Sequence, residues 1–203
     1  MTENLDLKHR VAREAATLLY FGAEKEYKQA KQRAAKTFGT HFLPSNLNVA
    51  LELDKVAEEN EGAKRAERLV LMRQEALKVM RALSKFCPVL IGSVWRGTIR
   101  QGSDIDIAIF TDNPEEALFV LKAAGFKVSK ADWVSVNKGG TTLQSYHIYS
   151  HATYEFGLEI VARSLDQAKL RRRCETFGDQ IKGLTAGELE EVLRTNPTRQ
   201  FIP

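Results

Sequence analysis

The chain has 203 residues, 43% of them hydrophobic and 28% charged, with a formal net charge of +4. This length can bury one sizeable core, with or without a helical appendage, and the two cysteines, Cys87 and Cys174, lie in no metal-binding or Cys-x-x-Cys pattern. The composition therefore excludes a disulfide-rich secreted domain, and the lack of any long apolar run excludes a membrane span, so we expect a soluble, cytoplasmic protein.

The first 86 residues are predicted to form an α-helical module. Apolar residues recur there at helical spacing, and Ser45, directly after Pro44, is suited to cap the helix that follows. Gly39 is expected to lie in a turn. The apolar positions that define these helices are Val11, Ala15, Leu18 and Leu19, then Val49, Leu53, Val56 and Ala57, then Leu69, Ala76, Leu77, Met80 and Leu83.

From Pro88 onwards the pattern changes to short strands, so we predict an α+β fold with a mixed β-sheet core. The expected domains are a helical module over 1–86, a core over 87–163 and a C-terminal helical extension over 164–203 that packs on the core. The predicted strands are Val89 to Ile91, Ile105 to Phe110, Lys127 to Val136, Thr141 to Tyr149 and Tyr154 to Val161. The predicted helices are Pro114 to Ala124, Leu165 to Phe177 and Ala186 to Thr195.

Basic residues cluster in two places. Between Lys8 and Lys36 there are eight basic residues against three acidic ones, and a second cluster runs from Lys169 to Arg173. Such clusters attract polyanions through release of counterions, which makes RNA or a charged nucleotide a plausible partner. The alternative is that they are ordinary solvated helix faces.

A Gly-Ser pair follows the first short strand. Backbone N–H groups in such a turn, at the start of a helix, can bind phosphate, and the Ser93 hydroxyl can add a further donor. Gly92 leaves room for a close approach, which a larger side chain would prevent. Taken alone, a Gly-Ser turn after a strand is a weak signal.

Two aspartates separated by one isoleucine give the strongest indication of chemistry. Successive side chains of a strand point to opposite faces, so Asp104 and Asp106 share one face while Ile105 and its alternate neighbours are buried on the other. Two carboxylates on a rigid strand suit a pair of Mg²⁺ ions. A third carboxylate is expected from Glu159, which lies deeper in an apolar run than its alternative, Glu155.

These motifs resemble the signature of the DNA polymerase beta superfamily of nucleotidyltransferases: a Gly-Ser turn, an Asp-x-Asp strand and a later acidic strand. Arg96-Gly97-Thr98 is similar to the archaeal CCA-adding and oligoadenylate synthetase branch, and the whole chain more loosely resembles small archaeal nucleotidyltransferases. The glutamate at position 159 departs from the commoner aspartate. The long accessory domains of CCA-adding enzymes are missing, so that activity does not follow.

The resemblance implies a reaction. A nucleoside monophosphate would pass from a nucleoside triphosphate, with ATP the expected donor, to an acceptor hydroxyl, and pyrophosphate would be released. Two Mg²⁺ ions, which Mn²⁺ can replace, would be held by the catalytic residues. The catalytic and metal-binding residues would be Asp104, Asp106 and Glu159, and the nucleotide-binding residues Gly92, Ser93, Arg96 and Ser103. The acceptor stays open among RNA, a protein hydroxyl and a small molecule.

Three other interpretations were weighed. The tract from Gly92 to Thr98 is close to a P-loop but lacks the lysine that contacts the β- and γ-phosphates. His147 and His151 are four residues apart, yet they have no third zinc ligand nearby and are expected to be ordinary polar residues. The remaining alternative is a non-catalytic RNA- or partner-binding protein on a degenerate nucleotide-binding core.

Overall fold

A computed structural model describes residues 2–138, 141–152 and 156–203 of the chain. The chain divides into two compact units. The first unit comprises Met1–Arg65 with Arg173–Gln180 and Pro203, and the second comprises Ala66–Arg172 with Ile181–Ile202. In the described part of the chain, no helix is long and apolar enough to cross a membrane.

Helices make up most of the first unit, which has its own apolar core. Alanines and valines such as Ala15, Ala34 and Val49 are fully buried there, because their small side chains let the helices approach closely. Ser45 caps the third helix as predicted, since its side chain accepts a hydrogen bond from the Asn48 N–H at 3.1 Å. The helices of the first unit are α1 (Thr2–Tyr20), α2 (Tyr27–Thr37) and α3 (Asn46–Glu61), and the next helix, α4 (Ala63–Ala82), lies almost wholly in the second unit.

A six-stranded mixed sheet forms the centre of the second unit, in the order β3-β4-β5-β2-β1-β6. β2 and β5 are parallel and every other neighbouring pair is antiparallel. The prediction of an α+β fold with a mixed sheet is confirmed. The strands are β1 (Val89–Ile91), β2 (Ile105–Phe110), β3 (Val128–Lys138), β4 (Thr141–His151), β5 (Gly157–Arg163) and β6 (Leu184–Thr185), and the further helices are α5 (Gly92–Arg96), α6 (Pro114–Ala123) and α7 (Ala186–Thr195).

One face of this sheet is packed into the core of the second unit. Ile105, Ile107 and Ile109 of β2 are fully buried there, as the alternation predicts, together with Leu158 and Ile160 of β5. The opposite side chains of β2 and β5 therefore share the other face, which we call the carboxylate face because Asp106 and Glu159 lie on it.

The predicted helix from Leu165 to Phe177 is wrong. Only a short 3₁₀ helix forms, over Leu165–Lys169, and the chain then turns tightly, with Gly178 donating a hydrogen bond to the Cys174 carbonyl at 2.8 Å. Leu165 and Leu170 are exposed, so this segment has no buried apolar stripe to stabilise a longer helix. The neighbouring prediction of a strand from Tyr154 begins outside the described residues, and the observed strand is β5.

Candidate active site

Pairing between β2 and β5 brings two carboxylates side by side. Asp106 and Glu159 are directly paired positions in the parallel register, so their side chains project from the same face of adjacent strands. Asp104 lies two residues before Asp106 and follows the same alternation. Glu159, which is distant in sequence, is thus brought beside Asp104 and Asp106 at one end of the β2–β5 pair. Glu155, the alternative third carboxylate, lies outside the described residues.

The Gly-Ser turn packs directly against this group. Ile91 pairs with Asp106 across β1 and β2, and Gly92 follows with a φ of 71°. A Cβ atom on Gly92 would lie 2.8 Å from Cγ of Asp106 and would overlap the carboxylate. Glycine is therefore required here both for the backbone conformation and for space.

A second glycine plays a similar part that the sequence did not reveal. Gly157, the first residue of β5, lies so close to Asp104 that a Cβ atom there would be 2.8 Å from Cγ of that aspartate. The carboxylate of Asp106 thus occupies space that a side chain at position 92 would fill, and the carboxylate of Asp104 does the same at position 157. The signal available in the sequence was that Gly157 lies two residues before Glu159, on the same face of the predicted strand.

Burial and repulsion from neighbouring negative charges make Asp104 and Asp106 hard to ionise. Burial, and then the charges of Glu159 and Asp104, raise the pKa of Asp106 to about 7 from its ordinary value of 3.8. Burial and Glu159 also raise the pKa of Asp104, while His151 opposes that shift. A cluster in which each negative charge disfavours the next is stabilised by a cation.

Glu159 has partners on β4 that sequence reasoning passed over. His147 Nδ1 is 2.6 Å from Glu159 Oε1, and His147 Nε2 is 2.8 Å from the Ser145 hydroxyl. Burial, and then the charge of Glu159, raise the pKa of Tyr149, which is paired with Glu159 across β4 and β5. One face of β4 carries His147, Tyr149 and His151, because every second residue of a strand points to the same side. This two-residue spacing was the signal that could have linked them to the site.

The donor set suits a hard cation, although it is not arranged around one. Among the described residues, no group of three or more His, Cys, Asp or Glu side chains is positioned to hold a metal ion. Carboxylate oxygens are the protein ligands that Mg²⁺ prefers, and the charge of Glu159 adds to burial in raising the pKa of both aspartates. Glu159 is hydrogen-bonded to His147, so its side chain must rotate before Glu159 and Asp106 can bind the same cation.

The other predicted site residues make local contacts. The Ser93 carbonyl accepts hydrogen bonds from the N–H groups of Gly97 and Thr98, which closes the short helix. The Ser103 hydroxyl accepts a hydrogen bond from the Arg100 N–H at 2.9 Å and so holds the turn before β2.

Arg96 is buried and is held by contacts within the second unit. Its guanidinium donates a hydrogen bond to the Phe201 carbonyl at 2.9 Å and lies 4.4 Å from the centre of the Trp95 ring. A contact between Arg96 and phosphate, as predicted, would require these interactions to break.

A cavity of about 820 Å³ is lined by His151 of β4. Lys127 and the ion pair between Lys78 and Glu75 also line this cavity. The other lining residues are Ala124, Gly125, Phe126 and Ala152.

Residues 74–157 match the family model of the nucleotidyltransferase domain. The predicted resemblance to nucleotidyltransferases is thereby confirmed for this part of the chain. The nucleotidyltransferase match includes the Gly-Ser turn and both aspartates of the Asp-x-Asp strand, but it ends before Glu159. A search of curated proteins finds no match to the chain.

Solved structures similar to this chain include the Cid1 poly(U) polymerase, at 18% identity and a TM-score of 0.34 over 55% of this chain and 38% of Cid1. A cytoplasmic RNA terminal U-transferase matches at 20% identity and a TM-score of 0.30, over 58% of this chain and 34% of that one. The GLD-2/RNP-8 complex matches at 14% identity and a TM-score of 0.35, over 60% and 45%. The chain thus covers less than half the length of each of these proteins.

Proposed function

We propose that this chain is a Mg²⁺-dependent nucleotidyltransferase that transfers a nucleoside monophosphate from a nucleoside triphosphate, with ATP as the expected donor, to a hydroxyl group of RNA. The observation that carries the proposal is the paired position of Asp106 and Glu159 on neighbouring strands, with Asp104 beside them. An acidic cluster at a Gly-Ser turn in a nucleotidyltransferase domain is suited to cations that carry a triphosphate.

Each residue has a defined part in the proposed reaction. Asp104, Asp106 and Glu159 would hold two Mg²⁺ ions, which neutralise the triphosphate and the developing negative charge when bound. The backbone N–H groups of the turn at Gly92 and Ser93 would hold the phosphate chain against these carboxylates.

The bond changes follow from this arrangement. The acceptor oxygen forms a bond to the α-phosphorus, and the bond from that phosphorus to the oxygen bridging to the β-phosphate breaks, so that pyrophosphate leaves. The proton of the acceptor hydroxyl passes to the Glu159 carboxylate, which His147 orients from 2.6 Å away.

RNA is the acceptor that the charge distribution favours. In the first unit, Lys8 lies 5.1 Å from the centre of the Phe42 ring and Arg10 lies 4.8 Å from that of Phe38. Cations beside aromatic rings can contact both the phosphates and the bases of a single strand. The second basic cluster, Lys169 to Arg173, adds to the same attraction for a polyanion.

Transfer of label from ATP tests the proposal. The protein is incubated with a mixed pool of short RNAs, Mg²⁺ and ATP labelled at either the α- or the γ-phosphate. We expect label in RNA from α-labelled ATP only, and none when EDTA is present. Label from the γ position would indicate a kinase, and binding of RNA with no transfer of either label would support the non-catalytic alternative.

Substitutions locate the reaction. Asp106→Asn and Glu159→Gln are expected to lower transfer by a factor of about 100 or more, because each removes a charge that holds a cation. Asp132→Asn is the control, since Asp132 is an exposed acidic residue of the same sheet whose partner is Lys130. Comparing Glu159→Gln with Glu155→Gln identifies the third carboxylate, and unchanged transfer in Asp106→Asn would refute the site.

A further inference from the structure

Two half-buried arginines lie at the end of β5 and in the segment that follows it. Arg163 is the last residue of β5, and Arg172 follows the 3₁₀ helix at Leu165–Lys169. Both are only partly exposed. Within the described residues neither guanidinium forms an ion pair, and Nε of Arg163 is a buried atom with no hydrogen-bond partner.

Two other buried arginines have acceptors for their guanidinium donors. Arg65 pairs with Asp54 and Glu58, and Arg73 donates to four backbone carbonyls. A buried donor that lacks a partner costs free energy. Among the described residues, Nε of Arg163 is a buried side-chain donor without such an acceptor, and an anion from outside the chain would supply one.

Arg172 is held in place by a buried glutamine. Its guanidinium donates a hydrogen bond to Gln167 Oε1 at 2.6 Å. Gln167 is only 8% exposed, and its amide donates to the Gln144 carbonyl at 3.2 Å and to the Ser164 hydroxyl at 3.0 Å. The guanidinium is thus oriented before any ligand arrives, as expected of a binding site rather than of a mobile surface side chain.

The two guanidinium groups also lie close enough to affect each other. Burial, and then the charge of Arg172, lower the pKa of Arg163 to about 10. Burial also lowers the pKa of Arg172. Two partly desolvated positive charges repel each other, and an anion bound by both would relieve that repulsion.

We propose that Arg163 and Arg172 form a binding site for a phosphate group. Planar guanidinium groups suit phosphate because they can donate two parallel hydrogen bonds to its oxygens. Arg163 lies on the carboxylate face, two alternations beyond Glu159, which places their Cα atoms about 13 Å apart along the strand.

At that distance the phosphate belongs either to the triphosphate chain of the nucleotide or to the backbone of the acceptor RNA, a little way from its reacting end. The choice between these two sources rests on the proposed function. The phosphate site itself does not, because it can be measured without turnover.

Equilibrium binding to the full chain tests the site. The probes are inorganic tripolyphosphate, a non-hydrolysable ATP analogue and a fluorescently labelled single-stranded RNA of mixed sequence. The variants are Arg163→Gln and Arg172→Gln, and the matched control is Arg171→Gln, which removes the same charge from an exposed neighbour. We expect each of the two site variants to weaken binding of at least one probe by roughly 10-fold or more, as is typical for loss of a hydrogen bond to a charged group.

The pattern identifies the source of the phosphate. Weaker binding of tripolyphosphate and the ATP analogue assigns the site to the nucleotide, while weaker binding of RNA alone, with a salt dependence that falls by about one charge, assigns it to the acceptor backbone. Unchanged binding of all probes in both variants would overturn the proposal. Equal weakening by Arg171→Gln would overturn it as well, because general electrostatic attraction would then explain the effect.

Thermal unfolding separates this role from a structural one. Because Arg163 is an uncompensated charge, Arg163→Gln is expected to raise the melting temperature by about 2–4 °C while binding is lost. Loss of both stability and binding in Arg163→Gln would indicate that Arg163 has a structural role. Binding by Arg172→Gln, at the less buried position, then decides whether binding depends on both arginines. These binding results stand even if no label is transferred from ATP.

Discussion

At the scale of single residues, the carboxylates depend on the glycines beside them. Gly157 is the cleaner of the two to test, because its backbone φ lies outside the left-handed region, whereas Gly92 combines crowding with a positive φ. A methyl group at position 157 would displace Asp104 without straining the backbone.

We expect Gly157→Ala to lower nucleotidyl transfer by at least about 10-fold, because displacement of a catalytic group by 1 Å can cost more than that. The measurement is the initial rate of label transfer under saturating Mg²⁺. Gly187→Ala is the matched control, since no atom lies within 4 Å of its added Cβ. That variant should keep full activity and gain slightly in stability, because alanine favours α7. Full activity in Gly157→Ala would show that the Asp104 carboxylate can move without loss.

At the scale of secondary-structure elements, Arg73 of α4 forms hydrogen bonds with both the short helix α5 and the C-terminal segment. Its guanidinium is fully buried and donates hydrogen bonds to the carbonyls of Val94, Trp95, Pro197 and Arg199 at 2.7–3.1 Å. Val94 and Trp95 belong to α5, so the position of the Gly-Ser turn depends on a residue that is not among the proposed site residues.

Arg73→Met is expected to lower the free energy of unfolding by about 3 kcal/mol or more, because it leaves several buried carbonyls without donors. Urea denaturation of the full chain measures this change. Arg81→Met is the control, since Arg81 is 64% exposed and pairs with Glu190 on the surface, where an ion pair contributes at most about 1 kcal/mol. Equal losses in the two variants would contradict this account of Arg73.

How far the sequence predicts these elements depends on local signals. The strand Ile105–Phe110 and the helix Ala186–Thr195 have the predicted bounds, because strict alternation defines the first and Thr185 with Glu188 forms a capping box at the second. The helix predicted from Leu165 does not form over its full length. Charged residues form a stable helix only where an apolar face of that helix is buried, and this segment has no such face. His147 and Gly157 were missed because their importance comes from β-sheet pairing between segments far apart in sequence.

At the scale of the whole molecule, the acidic cluster couples stability to pH and to metal. The pKa of Asp106 in the folded protein, about 7, lies above its ordinary value of 3.8. Protonation of Asp106 therefore stabilises the fold. This contribution is fully present below the ordinary value and is lost as the pH rises through about 7.

Without divalent metal, the wild-type protein is expected to lose stability between about pH 4 and pH 7, while Asp106→Asn, which stays neutral, should melt about 5 °C higher at pH 8. Added Mg²⁺ should raise the melting temperature of the wild type at pH 8, and it should raise that of Asp106→Asn much less. Thermal unfolding by differential scanning fluorimetry measures both effects, with Asp132→Asn as the control. A Mg²⁺ response of the same size in Asp106→Asn would place the cation elsewhere.

The parallel pairing of β2 with β5 also determines when the reaction centre can form during folding. Two parallel neighbours cannot be joined by a tight hairpin, and here α6, β3 and β4 all lie between them in the chain. Contacts between segments that are distant in sequence form late in folding, because the loop between the segments must lose conformational entropy before the contact stabilises the chain. Asp106 and Glu159 should therefore meet only after the β3–β4 hairpin has docked, so that the acquisition of nucleotidyl transfer would report the completion of folding rather than its onset.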